Sequence, residues 1–293
     1  MLIFEAFRLH GLNARELAWR LYHELDHDDA LGMAGQLAYF ASLSIFPFLL
    51  FLLSLIAYLP IPDLAGRLLA YMSEIVPAQA MQLVERIIIP VVAEQHGSLL
   101  TASGLFSLWT ASSAVSALSG LMNRAYDVPE TRSWFKRKPI ALGLTLGLSV
   151  FIIIALALLV VGPRLAHTVA DHVSLGSAFE LAWLAAKWPV VFIIVSFALA
   201  VLYYALPNVD QRWHWMTPGS VVATFLWVGF SEGFAYYVRS FASYNKIYGS
   251  LGAVVVLMIW LYLSGLALII GAELNAEIHK AATGRDLRQA DHP

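Results

Sequence analysis

The sequence predicts an all-α fold: a polytopic membrane bundle of six transmembrane helices, with an amphipathic interfacial helix at the N-terminus and extra short helices between spans one and two. Three observations lead there. Hydrophobic residues fill 59% of the 293 positions and charged residues only 13%, with a mean hydropathy of +0.70. A soluble domain carries about a quarter charged residues, so this chain cannot cover itself for water. Second, apolar runs recur at bilayer length. Residues 250–272 hold no charge over 23 positions, roughly 35 Å of helix at about 1.5 Å per residue, against a hydrocarbon core of about 30 Å. Third, the cations are placed unevenly along the chain, as they are around membrane spans.

Cysteine is absent, which excludes disulfides, thiolate metal sites and thiol nucleophiles. The net charge of −2 carries no information about partners by itself. No cleavable leader is expected, since the first 35 residues lack a long apolar core. Three segments follow. Residues 1–35 read as a cytoplasmic amphipathic N-terminal segment, 36–273 as the six-helix transmembrane domain, and 274–293 as a cytoplasmic C-terminal tail.

In chain order, Asn13 with Glu16 predicts a capped helix start. Leu17, Leu21 and Leu25 then share a face, beside Trp19 and Tyr22. Such a helix lies in the membrane interface or packs on the bundle, and the two are compatible. His23 and His27 with Asp26 have the spacing of a metal clamp, but a hydrated acidic helix end is the expected reading, and no metal or other cofactor is assigned. Residues 36–59 form span one. Pro47 in its interior predicts a kink, with Ser42 and Ser44 near enough to bond the freed carbonyls. Residues 61–97 are too polar and Pro-rich to span, and read as short helices.

Span two, 98–122, carries small residues at spacing four: Ser103, Ser107 and Ala111, then Ser112, Ser116 and Gly120. Close helix packing is expected there, with a weakly polar cavity lining as the alternative. Residues 123–138 hold five cations, Arg124, Arg132, Lys136, Arg137 and Lys138. Spans three and four, 139–161 and 184–206, flank a loop bearing His167, Asp171 and His172. Residues 207–217 return with Trp213 and Trp215, which suit the interface. Spans five and six form a hairpin from Pro218 to Asn275. Six spans place twelve Lys and Arg on the side of both termini and six on the other, which predicts cytoplasmic termini in a bacterial inner membrane.

Three groups of residues are candidates for function. Glu232 lies deep in span five, where an ionised carboxylate costs about 3 kcal/mol on insertion scales. It is expected to face the bundle and to be paired, hydrated or protonated. With Ser231, Tyr236, Pro47, Ser112 and Ser116 it makes a candidate transport pathway; a structural acid bonded to a neighbouring helix is the competing reading. Tyr244, Asn245, Tyr248 and Gly249 form the turn between spans five and six, read as structural or as an outer gate, with Gly249 free to take positive φ. Glu273 stands at the end of span six, where the helix dipole disfavours an acid. It is expected to join Asn275, Arg124, Glu130 and Arg132 in a cytoplasmic ion-pair cluster. Membrane lipids and a small anionic or amphipathic substrate are the expected partners. A homo-oligomer is compatible with the chain, and nucleic acid is not expected.

Several motifs are similar to one known family. LAYFASLSIFP (37–47), NRAYDVPETRSWFKRK (123–138), YYALPN (203–208), PG (218–219), YNKIYGSLGA (244–253), WLYLSG (260–265) and GAELNAE (271–277) together resemble the YihY/BrkB family of bacterial inner-membrane proteins, at one time labelled ribonuclease BN. The resemblance implies a six-helix inner-membrane fold, with transport, lipid export and resistance to host killing among the proposed roles. It does not reach Glu232. The ribonuclease label finds no support in the residues. A two-metal nuclease needs a tight cluster such as H-x-H-x-D-H, which the sequence lacks, and there is no large basic soluble domain to hold RNA. No Walker sequence is present either. The chain is therefore expected to be a transporter or flippase-like protein rather than an enzyme, with a membrane scaffold as the alternative.

Overall fold

The computed structural model describes residues 13–56, 97–160, 176–240 and 245–283, and all of its regular structure there is helical. Seven helices follow in order: α1 Ala14–His27, α2 Ala30–Ile56, α3 Gly97–Ala125, α4 Trp134–Val160, α5 Gly176–Ala205, α6 Pro218–Ser240 and α7 Asn245–Thr283. Among the described residues, Gly97–Ala125, Trp188–Ala205, Pro218–Val238 and Val254–Thr283 are long and apolar enough to cross a membrane, and Ala30–Ile45 is a shorter apolar helix. The fold is thus the all-helical membrane bundle that hydropathy predicts, and the six-span count is compatible with it. Residues 57–96, the loop bearing His167, Asp171 and His172, Tyr244 and residues 284–293 of the tail lie outside the described residues.

The chain divides into two compact units, Met1–Tyr39 with Ser112–Pro293, and Phe40–Ala111. In the larger unit α7 is the hub. It packs against α6, α5 and α1, while α5 also meets α6 and α4. Its 39 residues measure about 58 Å, far more than a bilayer core needs. The core sits around its C-terminal half. Met33 and Leu37 of α2, Leu118 and Met122 of α3, Leu202 and Tyr203 of α5, Ala223 of α6 and Ile269 of α7 bury one another there. In the smaller unit α2 runs on through Pro47, which is buried, and the Ser44 hydroxyl donates to the Ala41 carbonyl at 2.7 Å. Gly104 makes a close approach possible, since a Cβ there would stand 2.8 Å from the Phe51 ring.

Several local expectations change. Asn13 does sit at the N-cap of α1, but its side chain makes no capping bond, and Glu16 is turned to Arg20 at 2.9 Å. The apolar face of α1 is spent on protein: Leu17 packs against Leu274 and Ile278, with Leu21 and Val222 alongside. Trp19 and Tyr22 are left facing out. In α3 the small-residue row splits. Ser112 and Ser119 are fully buried, whereas Gly120 is exposed and a Cβ on it would meet nothing. Gly249 lies inside α7 rather than in a turn, as do Asn245 and Tyr248, so no left-handed freedom is used there.

Candidate functional site: the polar end of the bundle

Polar chemistry in the described residues gathers where α1, the loop after α3, the loop after α5 and the last turns of α7 meet. The start of α6 is fixed there first. Thr217 and Ser220 cap each other across the first turn: the Thr217 amide donates to Ser220 Oγ at 3.0 Å, and the Ser220 amide to Thr217 Oγ1 at 3.2 Å. Pro218 occupies the first helical position, where its missing N–H costs nothing. Asn275 of α7 completes the cap. It accepts from the Gly219 amide at 2.9 Å and donates to Thr217 Oγ1 at 2.9 Å. This reach depends on two glycines. A Cβ on Gly219 would collide with the Gly271 carbonyl, and one on Gly271 would stand 2.5 Å from both the Gly219 carbonyl and the Tyr203 hydroxyl. The helices touch backbone to backbone, as small residues allow in membranes.

The loop after α3 is locked to the end of α5. Asn123 donates to Glu130 Oε2 at 2.8 Å and accepts from the Asn208 amide at 2.7 Å. Asn208 in turn donates to the Pro129 carbonyl and the Thr131 hydroxyl. Arg132 holds Glu130 at 2.8 Å and also donates to Ser119 Oγ and the Leu206 carbonyl. The hydrogen bonds from the Arg132 guanidinium hold the Glu130 carboxyl at about 2. Ser119 donates to the same Leu206 carbonyl at 2.9 Å. A carbonyl that receives two donors at a helix end is one of the orphan acceptors every helix leaves.

Beside this lock lies an open recess. Tyr126, Tyr203, Gln211, Arg212, His214, Asn275 and His279 are among its walls, and it encloses about 540 Å³. Tyr126 donates to Gln211 at 3.4 Å and its ring lies 5.5 Å from that of His279. Burial, with Glu273 adding to it, pushes the Tyr126 hydroxyl well above its ordinary range. Gln211 is itself held by the Tyr203 carbonyl at 2.7 Å. The lining mixes aromatic faces with Arg212, Asp210 and two imidazoles, so Arg212 is the group that can meet an anionic head while the rings meet an apolar body.

The predicted ion-pair cluster is not one object. Glu273 is fully buried and neither of its oxygens has a hydrogen-bond partner, so it pairs with none of Arg124, Arg132 or Lys136. Asn275 serves the α6 cap. Arg132 serves Glu130, and Arg124 donates to the Asp28 carbonyl at 3.2 Å. What does tie the loop after α3 to α7 is Lys280, 2.6 Å from Asp127.

The predicted pathway is also redistributed. Glu232 is exposed, as is Tyr236, on a helix whose span is only 11% buried. Glu232 therefore does not face the bundle, because the packed stripe of α6 runs through Ala223, Trp227 and Ser231. Ser231 accepts from the Trp260 indole at 3.2 Å, and Trp227 donates to Ser264 at 3.1 Å. These two bonds lock α6 to α7 and satisfy indole groups that lipid cannot. Ser116 donates back to the Ser112 carbonyl of its own helix at 2.8 Å, and Pro47 belongs to the other compact unit. Asn245, Tyr248 and Gly249 form the first turns of α7.

Reading from the sequence missed Glu24, Asp28, Glu277 and Lys280. All but Lys280 are buried at this end, and Lys280 is nearly so. The usable signal was spacing: Glu24 with Asp28 and Glu273 with Glu277 are each four apart, one helix face each.

The comparisons with known proteins agree with this architecture. The family described as Virulence factor BrkB matches residues 21–293. A Bacillus subtilis protein named "Putative ribonuclease-like protein YfkH" is 38% identical over 247 residues, covering 84% of this chain and 89% of its own. A "UPF0761 membrane protein" of Tolumonas auensis is 28% identical, covering 96% and 91%, and one of Vibrio campbellii is 28% identical, covering 88% and 80%. No solved structure matches the chain. With apolar helices of bilayer length and a family match that runs from α1 to the last residue, the chain is an integral membrane protein belonging to the BrkB family.

Proposed function

We propose that the protein moves an amphipathic or anionic substrate across the bacterial inner membrane, as a transporter or flippase-like protein without enzymatic activity. Both termini and the polar end of the bundle then face the cytoplasm, where the excess of Lys and Arg belongs. The observation that carries the reading is the recess of about 540 Å³ lined by Tyr126, Arg212, His214 and His279. It sets the Arg212 guanidinium beside aromatic faces, the chemistry that suits a charged head joined to an apolar chain. Glu232 plays no part in it. Nuclease chemistry is not inferred, since the word "ribonuclease-like" belongs to the Bacillus subtilis relative and this sequence has no histidine–aspartate cluster of the two-metal type.

The test is flux of a fluorescent anionic phospholipid in proteoliposomes. Wild-type protein is expected to accelerate its movement between leaflets. The double variant Arg212→Ala/His279→Ala is expected to lose about tenfold of that acceleration, the rate equivalent of about 1.4 kcal/mol. Liposomes with wild-type protein that behave like protein-free ones would refute the proposal. A scaffold is the second reading. It is favoured by the outward-facing α6 surface with Glu232, Phe225 and Tyr236, which fits a homo-oligomer or another membrane partner.

A further inference from the structure

Four carboxylates meet where α1 joins the last turns of α7. Glu24 lies on α1 and Asp28 at its C-cap, while Glu273 and Glu277 occupy one face of α7. All four are buried. The cations around them are turned partly elsewhere. Lys280 lies 3.3 Å from Glu277 and 3.9 Å from Glu24, but closest to Asp127 at 2.6 Å. Arg20 reaches Glu277 through its charge. Arg124 donates to the backbone carbonyl of Asp28, not to its carboxylate.

Glu273 is the independent sign that something more belongs here. It is 0% exposed and neither carboxylate oxygen accepts a hydrogen bond. The negative charges of Asp28, Glu24 and Glu277 all bear on it, and Lys280 is the cation that opposes them. A buried carboxylate so placed is stable as the neutral acid or beside more positive charge than Lys280 supplies. Next to it, one donor atom each of Glu24, His27 and Asp28 lie within 4.8 Å of one another. Ligands bound at about 2.0–2.2 Å stand about 3–4 Å apart around one ion, so small side-chain adjustments close the set. His27 Nδ1 already lies 3.0 Å from Asp28 Oδ1, and its side chain is 67% exposed, which gives an ion a way in. The neighbouring His23, the other member of the clamp suggested by spacing, instead lies against the Trp19 ring, centroids 4.0 Å apart and planes tilted by 54°.

We propose that Glu24, His27 and Asp28, backed by the charge of Glu273, hold one divalent cation at the junction of α1 and α7. A set of carboxylates with one imidazole suits Mn²⁺ or Zn²⁺ better than Mg²⁺ or Ca²⁺. The ion balances Glu273 and fastens the N-terminal helix to the helix that organises the bundle. The inference does not depend on transport, and the two fail separately.

The experiment is calorimetric titration of the purified full chain in nanodiscs, after chelator treatment, with MnCl₂ alone and with ZnCl₂ alone. One saturable site per chain is expected for at least one of the two. His27→Ala, which changes an exposed side chain and leaves the packing intact, is expected to weaken binding about 10- to 100-fold, and Glu273→Gln by a similar factor. Glu232→Gln is expected to leave it unchanged. Absence of saturable binding by the wild-type chain overturns the proposal, and so does binding that survives His27→Ala at full strength.

Discussion

Two acids on neighbouring helices, Glu232 of α6 and Glu273 of α7, meet opposite fates. Both sit among apolar residues with glycine or alanine close by. Yet Glu232 is exposed on the open side of α6, while Glu273 is sealed at the end of α7. Their glycines differ in the same way. A Cβ on Gly229 or Gly233, which bracket Glu232, would meet nothing within 4 Å. A Cβ on Gly271, two residues before Glu273, would stand 2.5 Å from the Gly219 carbonyl and 2.7 Å from the Ala223 side chain. Intramembrane acids are read as functional by default. Here burial follows the helix contact and not the apolar context, and the acid at the contact is the one near other chemistry.

The comparison can be broken most decisively at the glycines. Gly271→Val is expected to destabilise the protein by about 3 kcal/mol or more, because backbone faces backbone and cannot yield. Gly229→Ala should be neutral or stabilising by up to about 1 kcal/mol, since alanine favours helix and space is free. Thermal unfolding of purified protein in detergent checks both, and equal losses would show that the α6–α7 contact is elsewhere.

A smaller effect is expected at the loop lock. Arg132→Met strips Glu130 of its cation and removes one of the two donors to the Leu206 carbonyl, at about 2 kcal/mol. The pH dependence follows from the depressed carboxyl. Glu130 titrates at about 2 in the folded protein, against an ordinary 4.5. Its contribution is therefore present above the ordinary value and is lost as pH falls from there towards 2. Unfolding midpoints across that window should fall more steeply for wild type than for Arg132→Met, whose carboxyl has lost the guanidinium and keeps the Asn123 hydrogen bond. Parallel curves would remove Arg132 as the cause.

The smallest effect is expected at Glu232. Glu232→Gln should change unfolding by less than about 0.5 kcal/mol, as surface substitutions do, and should leave lipid flux unaltered. A large loss of flux with normal stability would return this acid to the mechanism.

Hydropathy, run length and cation bias were enough to specify a helical membrane protein and to set spans two to six on α3 to α7, although α5 begins at Gly176, ahead of the expected 184, and α7 runs to Thr283, past the expected 272. Those properties are local: the bilayer imposes one length and one solvent on every span. The sites were less legible. Glu273, Asn275, Arg124, Glu130 and Arg132 were correctly drawn to one end of the bundle, since they flank the ends of spans. Their pairing was not, because, apart from the local bonds around Glu130 and Arg132, partners are chosen by contacts between residues 56 to 96 positions apart.

The sequence by itself determined the solvent and the secondary structure. The tertiary structure alone decided which side of each helix is covered. Lipid and helix interior are equally apolar, so periodicity does not distinguish them. That choice is made by close approach at Gly219 and Gly271, which turns α7 so that Glu273 goes inward, while Glu232 stays outside.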